Sequence, residues 1–414
     1  MLRSMFSAIS GLRAHQTKMD VTGNNIANVN TVGFKSSATV FQDTLSQVVR
    51  AGGQPAADRG GTNPAQIGLG VKLAGITTNW TNGAAQSTGR STDFMIEGDG
   101  FFVVEGAGGQ QLFTRAGSFE FDASGKLVTP DGSILQGWVA DANGVVNANG
   151  PVEALTVPYG QIVNPKPTTA GSIVGNLPSD GGTAFQIGAD MYDSQGVLQK
   201  VAYNFAKTGP NTWDVSVVHA DGRELLAPTG IEFDAAGNLI DPAAPFALPA
   251  FNPNDDAVPA GSYPSWDNDV VISLDGLSQF GGANTLSAPK PDGYALGSLQ
   301  SFTLGNDGTI TGIYSNGLRQ PLGQLAMASF NNPSGLEKAG NSTFRVGDNS
   351  GLAMIGLAGQ GGRGVLTSGA LEMSNVDLSE EFTGLIVAQR GFQANSRVIT
   401  ASDEILQDLV NLKR

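Results

Sequence analysis

Apolar residues recur near the C-terminus at Leu378, Phe382, Leu385, Phe392, Ile399, Leu406 and Val410, in steps of 4, 3, 7, 7, 7 and 4. Gln389, Ser396 and Asp403 fill the gaps, and no proline interrupts the stretch from Leu371 to Arg414. A sustained period of about 3.5 residues marks a helix made to lie against another helix. Ser374 followed by Asp377 gives a capping-box-like start. At about 1.5 Å per residue such a helix is roughly 50 Å long and needs something to cover its seam. The first thirty residues offer it. Leu2, Met5, Ile9, Leu12, Gln16, Met19 and Ile26 step by 3, 4, 3, 4, 3 and 7. The two seams predict one coiled-coil rod built from both chain ends, residues 1–30 and 373–414. The competing reading is a pair of amphipathic helices packed on a globular core.

Between the ends the pattern changes. Residues 31–70 are rich in Gly, Ala, Thr and Gln, lack periodicity, and read as a linker or extended segment. Short β-rich runs follow at Val71-Lys-Leu-Ala-Gly-Ile, Phe94-Met-Ile, Phe101-Phe-Val-Val, Gln111-Leu-Phe-Thr and Phe119-Glu-Phe. Residues 149–293 stand apart by their prolines and acidic residues. They predict a β domain inserted into a first β domain of residues 71–148 plus 294–364, with 365–372 as the return linker. The predicted fold class is mainly β with terminal α-helices, two β-rich domains being nested between them.

One heptapeptide repeats. Phe121-Asp-Ala-Ser-Gly-Lys-Leu127 recurs as Phe233-Asp-Ala-Ala-Gly-Asn-Leu239, and more loosely at Ala140–Val146, Tyr192–Leu198 and Leu304–Ile310. Asp opens a turn by bonding nearby backbone, and Gly accepts the left-handed conformation where the chain re-enters a strand. Each copy predicts a β-hairpin tip. Single aspartates at separate tips do not build the 6–8-oxygen cage that calcium takes.

Composition narrows the function. The chain has 414 residues, room for two to four domains. Charged residues are only 14% and there are 57 glycines, which suits many tight turns. Cysteine is absent, which suits an exported protein and leaves no structural zinc site. No run of 18 apolar residues marks a membrane span. The first residues lack a continuous apolar core, because Ser4, Ser7 and Ser10 interrupt it, so they read as mature helix and not as a cleaved signal. The net charge is −14. Residues 1–50 hold five basic and two acidic groups, net +3, whereas residues 149–293 hold 16 acidic and five basic, net −11. An acidic middle argues against nucleic acid as a partner.

Candidates for catalysis are sparse. His15 lies beside the first seam and reads as a surface or partner-facing residue, and His219 as a strand residue; neither has a second ligand at metal spacing. Asp255-Asp256 and Asp267-Asn-Asp269 sit in a Pro-rich loop. Paired carboxylates serve glycosidases at about 5–10 Å separation, but solvation of a loop accounts for these. No nucleophile elbow or Walker loop occurs, and Gly356-Leu-Ala-Gly-Gln-Gly-Gly-Arg-Gly fits no phosphate-loop spacing. The sequence predicts no enzyme, no catalytic residue, no metal and no cofactor. A secreted β-rich carbohydrate-active enzyme is the competitor from another class.

Several stretches carry a resemblance. They are Ser7-Ala-Ile-Ser-Gly-Leu-Arg-Ala-His-Gln, Val21-Thr-Gly-Asn-Asn-Ile-Ala-Asn-Val-Asn-Thr-Val-Gly-Phe-Lys35, Phe94-Met-Ile-Glu-Gly-Asp-Gly-Phe-Phe-Val-Val104 and Thr114-Arg-Ala-Gly-Ser-Phe. Near the end stand Leu371-Glu-Met-Ser-Asn-Val-Asp-Leu, Gln389-Arg-Gly-Phe-Gln-Ala-Asn395 and Leu409-Val-Asn-Leu-Lys. Together they resemble the bacterial flagellar rod and hook protein family. The length and the second β domain match its hook subunit better than its shorter rod subunits; a distal rod subunit is the alternative. The resemblance implies a helical homopolymer, a curved tube joining motor to filament, stiff in twist and soft in bend. It implies terminal helices inside and β domains outside. Implied partners are further copies of the chain, rod and hook–filament junction proteins, and the hook cap and type III export apparatus during assembly. The implied location is the extracellular flagellum, reached without a cleaved signal or membrane insertion. Phe41-Gln-Asp-Thr-Leu45 resembles the aromatic-x-x-x-apolar export element of such substrates, with Phe41 and Leu45 its two apolar positions.

Overall fold

The computed structural model describes residues 2–54, 60–141, 144–158, 160–180, 182, 184–220, 222–241, 245–248 and 269–411, and of Leu2, Leu409 and Val410 only the backbone. Asp255, Asp256, Asp267 and most of the proline run from Pro242 to Pro264 lie outside the described residues, as do residues 142 and 143 of one turn repeat and the closing Leu412 and Lys413. Two long helices, α1 (Leu2–Ala27) and α2 (Leu378–Asn411), bracket a succession of short strands, which is the predicted fold class. Contacts divide the chain into two units. The first comprises Met1–Val157, Phe302–Thr311 and Pro321–Arg414, the second Pro158–Ser301 and Gly312–Gln320.

Both helix ends have local causes. α1 stops at Ala27, where the Asn28 side-chain amide turns back to the Asn24 carbonyl at 2.9 Å. α2 begins at Leu378, five residues beyond the predicted start at residue 373. The cap is Asp377 and not Ser374: its carboxylate accepts the backbone N–H of Ser379 at 2.8 Å and of Glu380 at 3.2 Å. Glu380 and Glu381 then place negative charge in the first turn, where the helix dipole favours it.

The segment 31–70 is not the irregular linker its composition predicts. It holds β1 (Ser37–Asp43) and β2 (Ser46–Arg50), while β3 (Ala65–Gly68) and β4 (Val71–Thr78) come back antiparallel, β4 on β1 and β3 on β2. The return linker 365–372 is also strand. Val365–Ser368 pairs with Phe94–Glu97, and Ala370–Glu372 with Ala85–Ser87. Their partners are remote in sequence, so no local alternation announces them.

The core of the first unit is built on Phe101–Glu105. Phe101, Phe102, Val103 and Val104 are all buried, so this strand is covered on both faces. On one side Phe101 packs with Phe113, Trp138, Phe330 and Phe344. Elsewhere in this unit Phe102 meets Phe119 at 5.3 Å between ring centroids, and Phe94 meets Phe119 at 5.7 Å.

The second unit holds a five-stranded antiparallel meander of Ala184–Tyr192, Leu198–Gly209, Thr212–His219, Glu224–Phe233 and Leu239–Asp241. A three-stranded sheet of Ala170–Asn176, Val270–Ser278 and Phe246–Leu248 shares its core, where Phe205, Trp213, Val215 and Ile231 are fully buried. The repeated turns are hairpin tips. Asp122 Oδ1 accepts the N–H groups of Ser124 and Lys126, and Asp234 Oδ1 those of Ala236 and Asn238, all at 2.7–2.9 Å. Gly125 and Gly237 sit at φ +78° and +84°, which an L side chain would resist.

Candidate assembly interface at the helix pair

α1 and α2 pack antiparallel along a face of small residues. A Cβ added to Gly11 would lie 2.7 Å from the Asn395 amide, and one added to Gly391 would lie 2.5 Å from the His15 ring. Asn25 bonds Glu381 at 2.7 Å. Four residues forward on α1, from 11 to 15, is four back on α2, from 395 to 391; ten forward to 25 is ten back to 381. The fully buried positions of α1 are Ala8, Gly11, Ala14, Thr22 and Asn25, and those of α2 are Ala388 and Ser402.

This contact differs from the predicted seam. Met5, Ile9, Leu12, Met19 and Ile26 are only half-buried, and Ile9, Leu12 and Ile26 each directly follow a buried position, Ala8, Gly11 and Asn25. On α2, Leu385, Phe392, Ile399 and Leu406 are half-buried, but Leu378 and Phe382 stand exposed, Phe382 by 50%. Leu2 and Val410 lie on the helices, with side chains outside the described residues. His15 does not face solvent. It fills the notch at Gly391 and meets Phe41 edge-on, 6.1 Å between ring centroids. Thus Phe41 is held against α1, whereas Leu45 is 82% exposed. The cause of the shift is volume: large side chains hold helices apart, and the closest approach falls where glycine and alanine align.

Polar residues fasten the base of the pair. Asn25 is 1% exposed and its amide makes three hydrogen bonds. Its Nδ2 donates to Glu381 at 2.7 Å and to the Ser37 carbonyl at 2.8 Å, and its Oδ1 accepts the Ser37 N–H at 3.0 Å. One side chain thereby joins α1, α2 and the start of β1.

Below it lies a buried ionic knot. Lys35 Nζ is 2.6 Å from Glu372 Oε1, Arg115 Nη1 is 3.6 Å from Glu372 Oε2, and all three side chains are at most 2% exposed. Lys35 also donates to the Thr81 carbonyl, Arg115 to the Gly98 carbonyl, and Glu372 accepts the Gly83 N–H. Burial pushes the pKa of Lys35 and of Arg115 down, with Glu372 pulling both back up. Gly33, at φ +67°, donates its N–H to the Glu372 carbonyl at 2.8 Å, and a Cβ there would sit 2.6 Å from the Ala116 nitrogen. The segments leaving α1, entering α2 and crossing the β core therefore meet at one carboxylate. Sequence patterning singled out none of Asn25, Lys35, Arg115 and Glu372. Their signal is that each lies in a short stretch carrying the family resemblance, where a buried polar role fits a charged or amide residue between apolar and glycine neighbours.

Much apolar surface remains open. Phe6 on α1 and Ile386, Val387, Val398 and Ile405 on α2 are exposed beside Leu378 and Phe382. The β2–β3 ribbon is exposed at every described position, including Val48, Val49 and Ile67. Cavities of about 250 and 400 Å³ flank α1 where β4 crosses it, one lined by His15 and Phe41, the other by Phe6, Ile9 and Leu73. Among the described residues no group of His, Asp or Glu could hold a metal ion. His219 sits in its strand, with Nε2 3.0 Å from Gln199 Oε1.

Known proteins resemble this chain. Family models match in four stretches: a flagella basal body rod protein at residues 5–35, the flagellar hook protein FlgE/F/G D1 domain at 95–175, the flagellar basal body protein FlaE D2 domain at 176–294, and the flagellar basal body rod FlgEFG protein C-terminal region at 367–412. The flagellar hook protein FlgE of Treponema pallidum (strain Nichols) is 38% identical over the full length of both chains. The flagellar basal-body rod protein FlgG of Bacillus subtilis (strain 168) is 34% identical, again over the full length of both. The crystal structure of Helicobacter pylori flagellar hook protein FlgE2 has the same fold at a TM-score of 0.55 and 15% identity, covering 70% of this chain and 100% of its own. The chain belongs to the flagellar hook protein FlgE family.

Proposed function

We propose that this chain is a structural subunit of the flagellar hook, polymerising through its terminal helices into a curved tube that passes motor torque to the filament. The carrying observation is the apolar stripe of α2 that pairing with α1 leaves uncovered: Leu378, Phe382, Ile386, Val387, Val398 and Ile405. A lone protein gains nothing by exposing such a stripe, whereas a polymer covers it with the helices of further copies. The half-buried Met5, Ile9, Leu12, Met19, Ile26, Leu385, Phe392, Ile399 and Leu406, with Leu2 and Val410 at the ends, form the rest of the assembly seam. Helices inside and the nested β units outside give a tube whose inner wall resists twist. Its outer contacts, on Gly-rich surfaces, slide as it bends.

The further partners follow from that role: rod and junction proteins at the two ends of the tube, and the cap and export apparatus during growth. No described helix is long and apolar enough to cross a membrane. In this reading the chain is exported through the flagellar channel with Phe41 and Leu45 as its recognition element, needs no cofactor, and catalyses nothing. A straight distal rod is the second reading, favoured by the rod name of the Bacillus subtilis relative. Negative-stain electron microscopy of purified protein under polymerising conditions separates them. Curved tubes are expected; straight shafts would select the rod, and no polymer would overturn both.

A further inference from the structure

Lys338, on the exposed strand Glu337–Gly340, has no carboxylate partner among the described residues, unlike Lys35 and Lys166. Lys35 has Glu372 at 2.6 Å and Lys166 has Asp292 at 2.9 Å. Lys338 Nζ meets only the Ser37 hydroxyl, at 3.2 Å, and the Phe34 ring, at 5.4 Å from its centroid. Its sequence neighbour Glu337 is already taken by Arg345 at 2.7 Å. Partial desolvation, with no opposing charge, lowers the pKa of Lys338.

The ammonium borders a cavity of about 140 Å³ lined by Asn28, Phe34, Lys35, Lys338, Asn341 and Ser342 among others. The wall at Asn341-Ser342 is the two-residue turn between Glu337–Gly340 and Thr343–Arg345, with φ +49° and +57°. Both signs match a type I′ hairpin turn, whose second place usually takes glycine. A serine held there marks a turn kept in shape by its surroundings. The volume equals that of a few waters, at about 30 Å³ each. It is below the roughly 300 Å³ at which small-molecule pockets begin, and it suits one side-chain head group.

We propose that this cavity receives a carboxylate side chain from a second copy of this chain, with Lys338 as its counter-charge. The proposal rests on the polymeric reading above. Acidic groups outnumber basic ones by 37 to 23, so each copy has carboxylates to spare for a neighbour. An occupant drawn from a different surface of the second copy would make the head-to-tail contact that builds a helical polymer and not a closed dimer.

The test is zero-length carbodiimide coupling on polymer grown from a mixture of ¹⁴N- and ¹⁵N-labelled chains. A mixed-isotope peptide joining Lys338 to Asp or Glu is expected in polymer and absent from monomer. Lys338→Gln is expected to keep the wild-type melting temperature and to raise the critical concentration for polymerisation about 5-fold, with Lys338→Arg recovering most of it. Only same-isotope links at Lys338, or a critical concentration unchanged in Lys338→Gln, would overturn the site while leaving the tube in place. If the wild-type chain forms no polymer, the polymeric reading falls and this site with it.

Discussion

The helix pair and the second β unit bury their side chains in opposite ways. In the β unit Phe205, Trp213, Val215 and Ile231 are sealed among each other. In the helix pair the most buried side chains are small or polar, Ala8, Ala14, Asn25 and Ala388, while Phe6 and Phe382 stand open. The β unit uses its apolar volume on itself. The helices save theirs, at a cost to the isolated pair, and hold their register by close approach and by amide bonds. The ionic knot of Lys35, Arg115 and Glu372 fits the second scheme. A buried charge cluster adds little stability over an apolar one, but it specifies a geometry.

This contrast breaks most visibly at Phe382. Phe382→Asp should leave the thermal melt of the monomer within about 0.5 kcal/mol of wild type, as an exposed substitution does. It should abolish polymer in electron micrographs and leave secreted subunit in the medium of strains that carry it as their hook subunit and are non-motile. Ordinary hooks from this variant would mean the stripe is not an assembly surface. Phe205→Ala is the converse case. Emptying a fully buried ring site should lower unfolding free energy by about 3–5 kcal/mol in denaturant titrations. A loss below about 1 kcal/mol would deny that the β unit holds itself together.

Glu372→Gln tests the knot. It leaves two buried cations without their counter-charge and should cost about 3 kcal/mol. Lys35→Met and Glu372→Leu together should recover part of that, because one buried unpaired cation, Arg115, then remains in place of two. A double variant worse than Glu372→Gln would show that the charges themselves stabilise the base of the helices. The smallest effect is expected at Asp292 in the β unit. Its carboxylate is desolvated, yet backbone N–H groups of Ala170 and Thr169, the Thr169 hydroxyl and Lys166 hold its pKa well below the ordinary 3.8. A depressed folded pKa gives stability that is present above the unfolded value and fades as pH falls through the folded one. Melts taken downward from pH 4 should therefore lose stability more steeply in wild type than in Asp292→Asn. Equal slopes would remove Asp292 as the cause.

The long-range period of α2 was readable because a heptad survives any environment that keeps it helical. Leu385, Phe392, Ile399 and Leu406 all lie on α2 and are half-buried. The turn repeats were readable for a related reason: Asp122 and Gly125, or Asp234 and Gly237, act within five residues of each other. β1 to β3 and the return strands were not, because Gly- and Thr-rich segments take strand form only when a distant edge supplies hydrogen bonds. The cap at Asp377 was misplaced by three residues, since both Ser374 and Asp377 suit the role and only backbone geometry selects one.

The sequence by itself determined that two helices end the chain and that glycine-punctuated strands fill it. Those are properties of local pattern and composition. The tertiary structure decided which face of each helix is used within the chain and which is left over. The hydrophobic pattern marks every apolar position alike, but close packing ranks them by size. Gly11 and Gly391 win the contact, and Phe382 is left outside. It also decided that Lys35, Arg115 and Glu372 meet. Their separations in sequence run from 80 to 337 residues, and only a folded chain can bring such charges out of water together.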